Sequence, residues 1–155
     1  MKGPSQGEKI MEKSIVYINE LLNEIRFKTS SDFSAFACLN KDSFIIQWKF
    51  VSGNLNNRYK KMQGRPGKGL AGLAIRADRT MVLDSSIADI ASRRLQYPIM
   101  LAENLQAAVA VPVRNAGITT GVLLVGSRYN KTYTVAEIQV ITEFAGSIGL
   151  LPQTS

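Results

Sequence analysis

Two apolar runs, residues 105–114 and 118–127, stand only three residues apart, and that spacing constrains the fold more than any other feature of the chain. Asn115-Ala116-Gly117 between them is hairpin chemistry, because Gly117 readily takes the positive φ that a three-residue loop requires. A second pair of strands is expected over residues 33–39 and 44–51, joined by the turn-forming Asn40-Lys41-Asp42-Ser43. Two hairpins in one short chain predict an antiparallel sheet.

The ends of the chain predict helices. Over residues 8–28, Ile15, Ile18, Leu22 and Ile25 recur at helical spacing with Glu and Lys between them, and Ser5 and Glu8 have capping-box spacing. Thr134-Val135-Ala136-Glu137 repeats the capping-box pattern, and Ile138, Ile141, Ala145 and Ile148 continue it as an amphipathic terminal helix. Between the hairpins lie a long polar loop from Gly53, a short helix at 70–76 and a short strand at 80–83. Residues 84–102 read as irregular, with helical turns at 87–95 and 99–102 broken at Tyr97, since Pro98 favours an extended residue before it. The economical arrangement is α+β: a central antiparallel sheet, both terminal helices on one face, and the excursions on the other with a pocket beneath them. A length of 155 residues fits one domain, expected over residues 8–151, with a flexible leader at 1–7 and a tail at 152–155.

The residue inventory excludes much chemistry. There is no histidine and one cysteine, Cys38, so metal centres and Ser-His-Asp or Cys-His catalysis lack their usual groups. A lone thiol forms no internal disulfide, which suits a reducing compartment. No apolar run approaches the roughly 20 residues that cross a bilayer. No secretory pattern opens the chain, so a cytoplasmic location is expected. These residues make a poor enzyme, with no cofactor expected.

What remains is Gly64-Arg65-Pro66-Gly67-Lys68-Gly69-Leu70-Ala71-Gly72-Leu73-Ala74-Ile75, a glycine-rich turn running into a helix of small and apolar residues. The first N–H groups of such a helix have no intrahelical partner, and the peptide dipoles add partial positive charge there, so a small anion is favoured. The net charge of +7 is densest just before it, with five cations and no acid over residues 58–68. That run reads as a solvated loop, as a docking surface for an acidic protein face, or as a nucleic-acid contact; no nucleic-acid-binding motif surrounds it.

The order of these pieces resembles a GAF domain over residues 8–150. The likeness is carried by Gly67-Lys68-Gly69-Leu70-Ala71-Gly72-Leu73-Ala74, Val82-Leu83-Asp84, Ala110-Val111-Pro112-Val113 and Gly121-Val122-Leu123. GAF subfamilies that bind cyclic nucleotides or hold haem need residues this chain lacks. Those that attach bilins need a cysteine on the pocket's rim, whereas Cys38 falls in the first expected strand, and free methionine sulfoxide reductases exchange between cysteines. The chain is most similar to the Nre-type nitrate receptors, bacterial single-GAF proteins that work with an oxygen-sensing histidine kinase and its response regulator. The resemblance implies a non-enzymatic nitrate receptor in which backbone N–H groups of Leu70, Ala71 and Ile99 hold nitrate while Trp48 and Tyr97 form walls. Read without it, Trp48 serves equally as a core anchor, Leu70 and Ala71 as docking residues for the short helix, and Tyr97 as an aromatic packed on Pro98. The implied partners are nitrate and a sensor histidine kinase, with a homodimer possible and neither nucleic acid nor membrane expected. A GAF regulator for another small molecule is the rival reading; a methionine-sulfoxide-type enzyme, which would need Cys38 in the pocket, is the lesser one.

Overall fold

A computed structural model describes residues 3–152, apart from the Met11 side chain. In chain order the elements are α1 (Gln6–Lys28), β1 (Phe33–Leu39), β2 (Ile46–Ser52), a 3₁₀ turn (Arg58–Lys61) and β3 (Gln63–Gly64). These are followed by α2 (Gly69–Ala77), β4 (Met81–Leu83), α3 (Ile90–Arg94), α4 (Pro98–Ala102), β5 (Ala107–Asn115), β6 (Ile118–Ser127) and α5 (Val135–Gly149). The strands form one antiparallel sheet in the order β3-β2-β1-β6-β5-β4, so the two expected hairpins lie side by side through β1 and β6.

Alternation along the central strands builds two different layers. Phe36, Cys38, Val109, Val111, Leu123 and Val125 point to one side, where they meet Ile18, Leu22 and Ile25 of α1 and Ile141, Ala145 and Ile148 of α5. The opposite side carries Ala35, Ala37, Ala108 and Ala110, with Val122 and Leu124, and packs under α2 and α4. Large residues thus seat the terminal helices, while small ones let α2 come close to the sheet.

Several local expectations shift. The β5–β6 loop has two residues, not three: Asn115 pairs with Ile118, and Ala116 and Gly117 both take positive φ, as a type I′ turn needs. The polar loop after Gly53 holds the 3₁₀ turn and the two-residue edge strand β3, because β2 leaves Ile46 and Gln47 open to pairing. Ile15 is exposed, and Ser14 instead is buried beside α1's inner face. Helix α1 starts at Gln6, inside the expected leader, with Ser5 as its N-cap accepting from the Glu8 N–H at 3.1 Å. Residues 1–2 of that leader and 153–155 of the tail lie outside the described residues.

Candidate functional site

The site begins with β2. A bulge lies where β1 passes from Phe36 to Ala37: Phe36 pairs with Phe50 and Ala37 with Trp48, leaving Lys49 unmatched. Residues two apart share a face in a regular strand, so this extra residue separates Trp48 from Phe50. Phe50 stacks on Phe36 on the helix side, ring centroids 6.2 Å apart, while Trp48 stays on the alanine-lined side.

Helix α2 then closes over Trp48. The turn before it packs so tightly that a β-carbon on Gly72 would lie 2.1 Å from the Arg65 carbonyl oxygen. The Gly67 N–H donates to the Gly72 carbonyl at 2.8 Å, and the Lys68 N–H to that of Arg65 at 2.9 Å, fixing the loop against the helix. Gly69 has φ of 72°, which turns the chain abruptly into the helix. No side chain caps α2, and no acid occupies its first turn. Its opening N–H groups, at Leu70 and Ala71 among others, therefore have neither an intrahelical nor a side-chain acceptor.

The opposite wall comes from α4. Tyr97 is its N-cap, and Pro98 at the first helical position has no N–H, so the Ile99 N–H is the first donor the helix offers. Between these walls is a cavity of ≈ 260 Å³. Trp48, Leu70, Ala71 and Ile99 line it together. Tyr97, the residue before the lining pair Pro98 and Ile99, is buried in the same core cluster as Trp48, Leu70 and Ile99. Met62, Gln63 and Gly64 line the cavity because β3 brings the polar loop alongside β2, and Lys68 and Gln96 add polar groups at the rim. The sequence set Lys68 in the glycine-rich turn and in the basic run without giving its side chain a role, and a two-residue edge strand is too short to show a pattern.

Both ends of the segment carrying α3 and α4 are held by buried carboxylates. Asp84 is 1% exposed and accepts from the backbone N–H of Ser86 at 2.9 Å and of Tyr133 at 3.0 Å. Glu103, fully buried, accepts from the Leu55 N–H at 2.7 Å and pairs with the Arg128 guanidinium at 2.8 Å. Arg128 donates further to the carbonyls of Glu103 and Gly53, both at 2.9 Å. Between these anchors, α3 buries no residue.

Cys38 faces the terminal helices, across the sheet from the cavity. Among the described residues no group of three or more His, Cys, Asp or Glu side chains is placed to hold a metal ion. No helix among them is long and apolar enough to cross a membrane.

One antiparallel sheet between a pair of terminal helices and a ligand-sized hollow under short helices defines a class of small-molecule-binding α+β domain. The chain belongs to the GAF domain family, whose model spans residues 17–151. Among solved structures it is similar to NreA from Staphylococcus aureus mutated in its nitrate binding site, at 35% identity and a TM-score of 0.70. That match covers 82% of this chain and 93% of that one. It is also similar to hypothetical protein SA1058 from S. aureus, at 38% identity and a TM-score of 0.67, covering 76% of this chain and 97% of that one. The free methionine-R-sulfoxide reductase of Neisseria meningitidis shares the fold at 15% identity and a TM-score of 0.70, covering 88% of this chain and 75% of that one. No curated protein matches the chain.

Proposed function

We propose that this protein is a non-enzymatic nitrate receptor that modulates a partner sensor histidine kinase. The observation that carries the reading is the convergence of Leu70, Ala71, Ile99 and Trp48 on one small cavity at the uncapped start of α2. Similarity to NreA, a protein with a nitrate binding site, supports the choice of anion.

The chemistry suits nitrate. It is planar, singly charged and weakly basic, so oriented donors serve it better than a strong cation. Three hydrogen bonds to a charged group, from Leu70, Ala71 and Ile99, contribute roughly 5–9 kcal/mol at about 1.5–3 each. Micromolar affinity needs about 8 kcal/mol beyond the costs of immobilisation and desolvation, and the helix dipole adds up to about 2. The terms balance closely, so each donor matters. Trp48 gives the cavity an apolar wall and Tyr97 packs in the same core cluster, and such surroundings strengthen the remaining polar contacts.

A ligand switches a protein only by favouring one of two conformations. Residues 85–102 are the natural moving part. They bring Pro98 and Ile99 to the cavity, their α3 buries nothing, and rigid carboxylate anchors hold both ends. Nitrate drawing Ile99 toward α2 changes the outer surface of this segment, which is what a kinase would read.

A second reading is a small carboxylate in place of nitrate, favoured by the side chains of Gln63, Gln96 and Lys68 around the rim. A nucleotide-sized ligand is disfavoured, since the cavity falls below the roughly 300–1,000 Å³ of drug-sized pockets. Trp48 is the only tryptophan, so its emission reports occupancy directly. Nitrate is expected to change that emission saturably at micromolar concentration while acetate and glycine do not. Saturation by acetate or glycine alone would transfer the site to the carboxylate reading.

A further inference from the structure

The positive charge of this protein is concentrated in one stretch. Residues 43–77 contain seven Lys and Arg residues, from Lys49 to Arg76, and no Asp or Glu, so their sum equals the whole net charge of +7. All seven are exposed. The ion pairs among the described residues involve Lys28, Arg114, Arg128 and Lys131, none of them in this stretch. The same stretch supplies all of the cavity lining except Gln96, Pro98 and Ile99, and the lining contains no carboxylate. A cleft walled by one sign of charge focuses the field and raises the local concentration of the opposite ion.

Lys68 stands out within it. It lines the cavity and is also the N-cap residue of α2. Helix electrostatics favours acids at that end and disfavours cations. The other long helices follow this rule, with Glu8 in the first turn of α1 and Glu137 in that of α5. Helix α2 inverts it, with Lys68 at the cap and no acid behind it. Such an arrangement costs the unliganded helix stability and becomes favourable when an anion lies between the lysine and the opening N–H groups.

We propose that the acid-free stretch is an electrostatic funnel serving the cavity, with Lys68 as the residue that selects anions over neutral molecules of similar size. The inference rests on the anion-receptor reading above and adds to it how the ligand is gathered and which side chain discriminates.

Stopped-flow mixing with potassium nitrate, followed by Trp48 emission over a potassium gluconate series, tests the funnel. In the wild type the association rate falls steeply with ionic strength, because screening shortens the field to about 8 Å near 0.15 M. The double variant Lys60→Gln/Lys61→Gln, on a 3₁₀ turn that buries no residue, is expected to associate about tenfold more slowly at low salt with its dissociation rate unchanged. Lys68→Glu is expected to lose at least tenfold in nitrate affinity while the unliganded protein melts at a higher temperature, since an acid now sits at the helix start. That rise in melting temperature separates the proposed role from simple unfolding. A wild type that binds nitrate with an association rate flat in salt, and unchanged in Lys68→Gln, overturns the funnel and leaves the receptor reading standing. A folded wild type that binds no nitrate overturns both.

Discussion

Gly72 and Tyr97 show how single positions shape the walls around this cavity through packing. A methyl group on Gly72 meets the backbone oxygen of Arg65 rather than a side chain that swings away, so the turn itself must move. Gly72→Ala is expected to cost about 1–3 kcal/mol, as overpacking does, and to lower the melting temperature by about 2–10 °C in a thermal scan. Nitrate affinity is expected to fall with it, because the displaced turn carries Lys68. Tyr97, only 5% exposed, packs within the core cluster. Tyr97→Ala is expected to cost about 3–5 kcal/mol in urea unfolding, with any loss of affinity following from a relaxed wall. Sequence reasoning reached the helix start at Leu70 and Ala71 from its unpartnered N–H groups, and Trp48, Tyr97 and Ile99 through family likeness alone. Apolar spacing assigns such residues to a core, and all five are indeed buried. The extended residue expected before Pro98 is found at Tyr97, but residue types alone do not show that the turn there brings Ile99 to the cavity.

At the scale of elements, β1, the β5–β6 hairpin and α5 were legible because local chemistry and burial agree there. The α5 capping box is complete: the Glu137 N–H donates to Thr134 Oγ1 at 3.0 Å, and the Thr134 N–H returns the bond to Glu137 Oε1 at 2.9 Å. Burial pushes the Glu137 carboxyl up, but Lys131, 2.8 Å away, together with Thr134 outweighs it, and the carboxyl titrates below its ordinary value. A carboxyl whose pKa is lowered by folding contributes stability that is complete above its unfolded value and is lost as pH falls through the folded one. Melting curves from pH 7 to pH 3 are therefore expected to show Glu137→Gln less stable at neutral pH, with the difference from wild type shrinking in acid. Other elements were illegible for physical reasons. The bulge at Lys49 breaks the alternation of β2, and β3 is held by two pairings with its neighbour rather than by any preference of its own. The turn at Ala116 required a non-glycine residue in the left-handed region, which composition argues against.

Across the whole molecule, the two sides of the sheet divide the work. One side packs the terminal helices, and the other packs large residues such as Phe33, Met100 and Leu105 beside a cavity whose lining holds no carboxylate and a segment tethered at both ends. The tethers are stability elements in their own right. Arg128→Met leaves the buried Glu103 carboxyl without its guanidinium partner, and is expected to destabilise the fold by about 3–5 kcal/mol in urea unfolding. Binding should act in the opposite direction, since a ligand specific to the native state adds about 2.7 kcal/mol at a hundredfold excess over its dissociation constant. The most direct measurement is isothermal titration calorimetry of the wild-type protein with nitrate, chloride and iodide at matched ionic strength. One nitrate per chain with micromolar affinity, and chloride and iodide at least tenfold weaker, is the predicted result. Equal affinity for all three ions, or no heat with nitrate from folded protein, would contradict the claim that this cavity is built for a flat oxyanion.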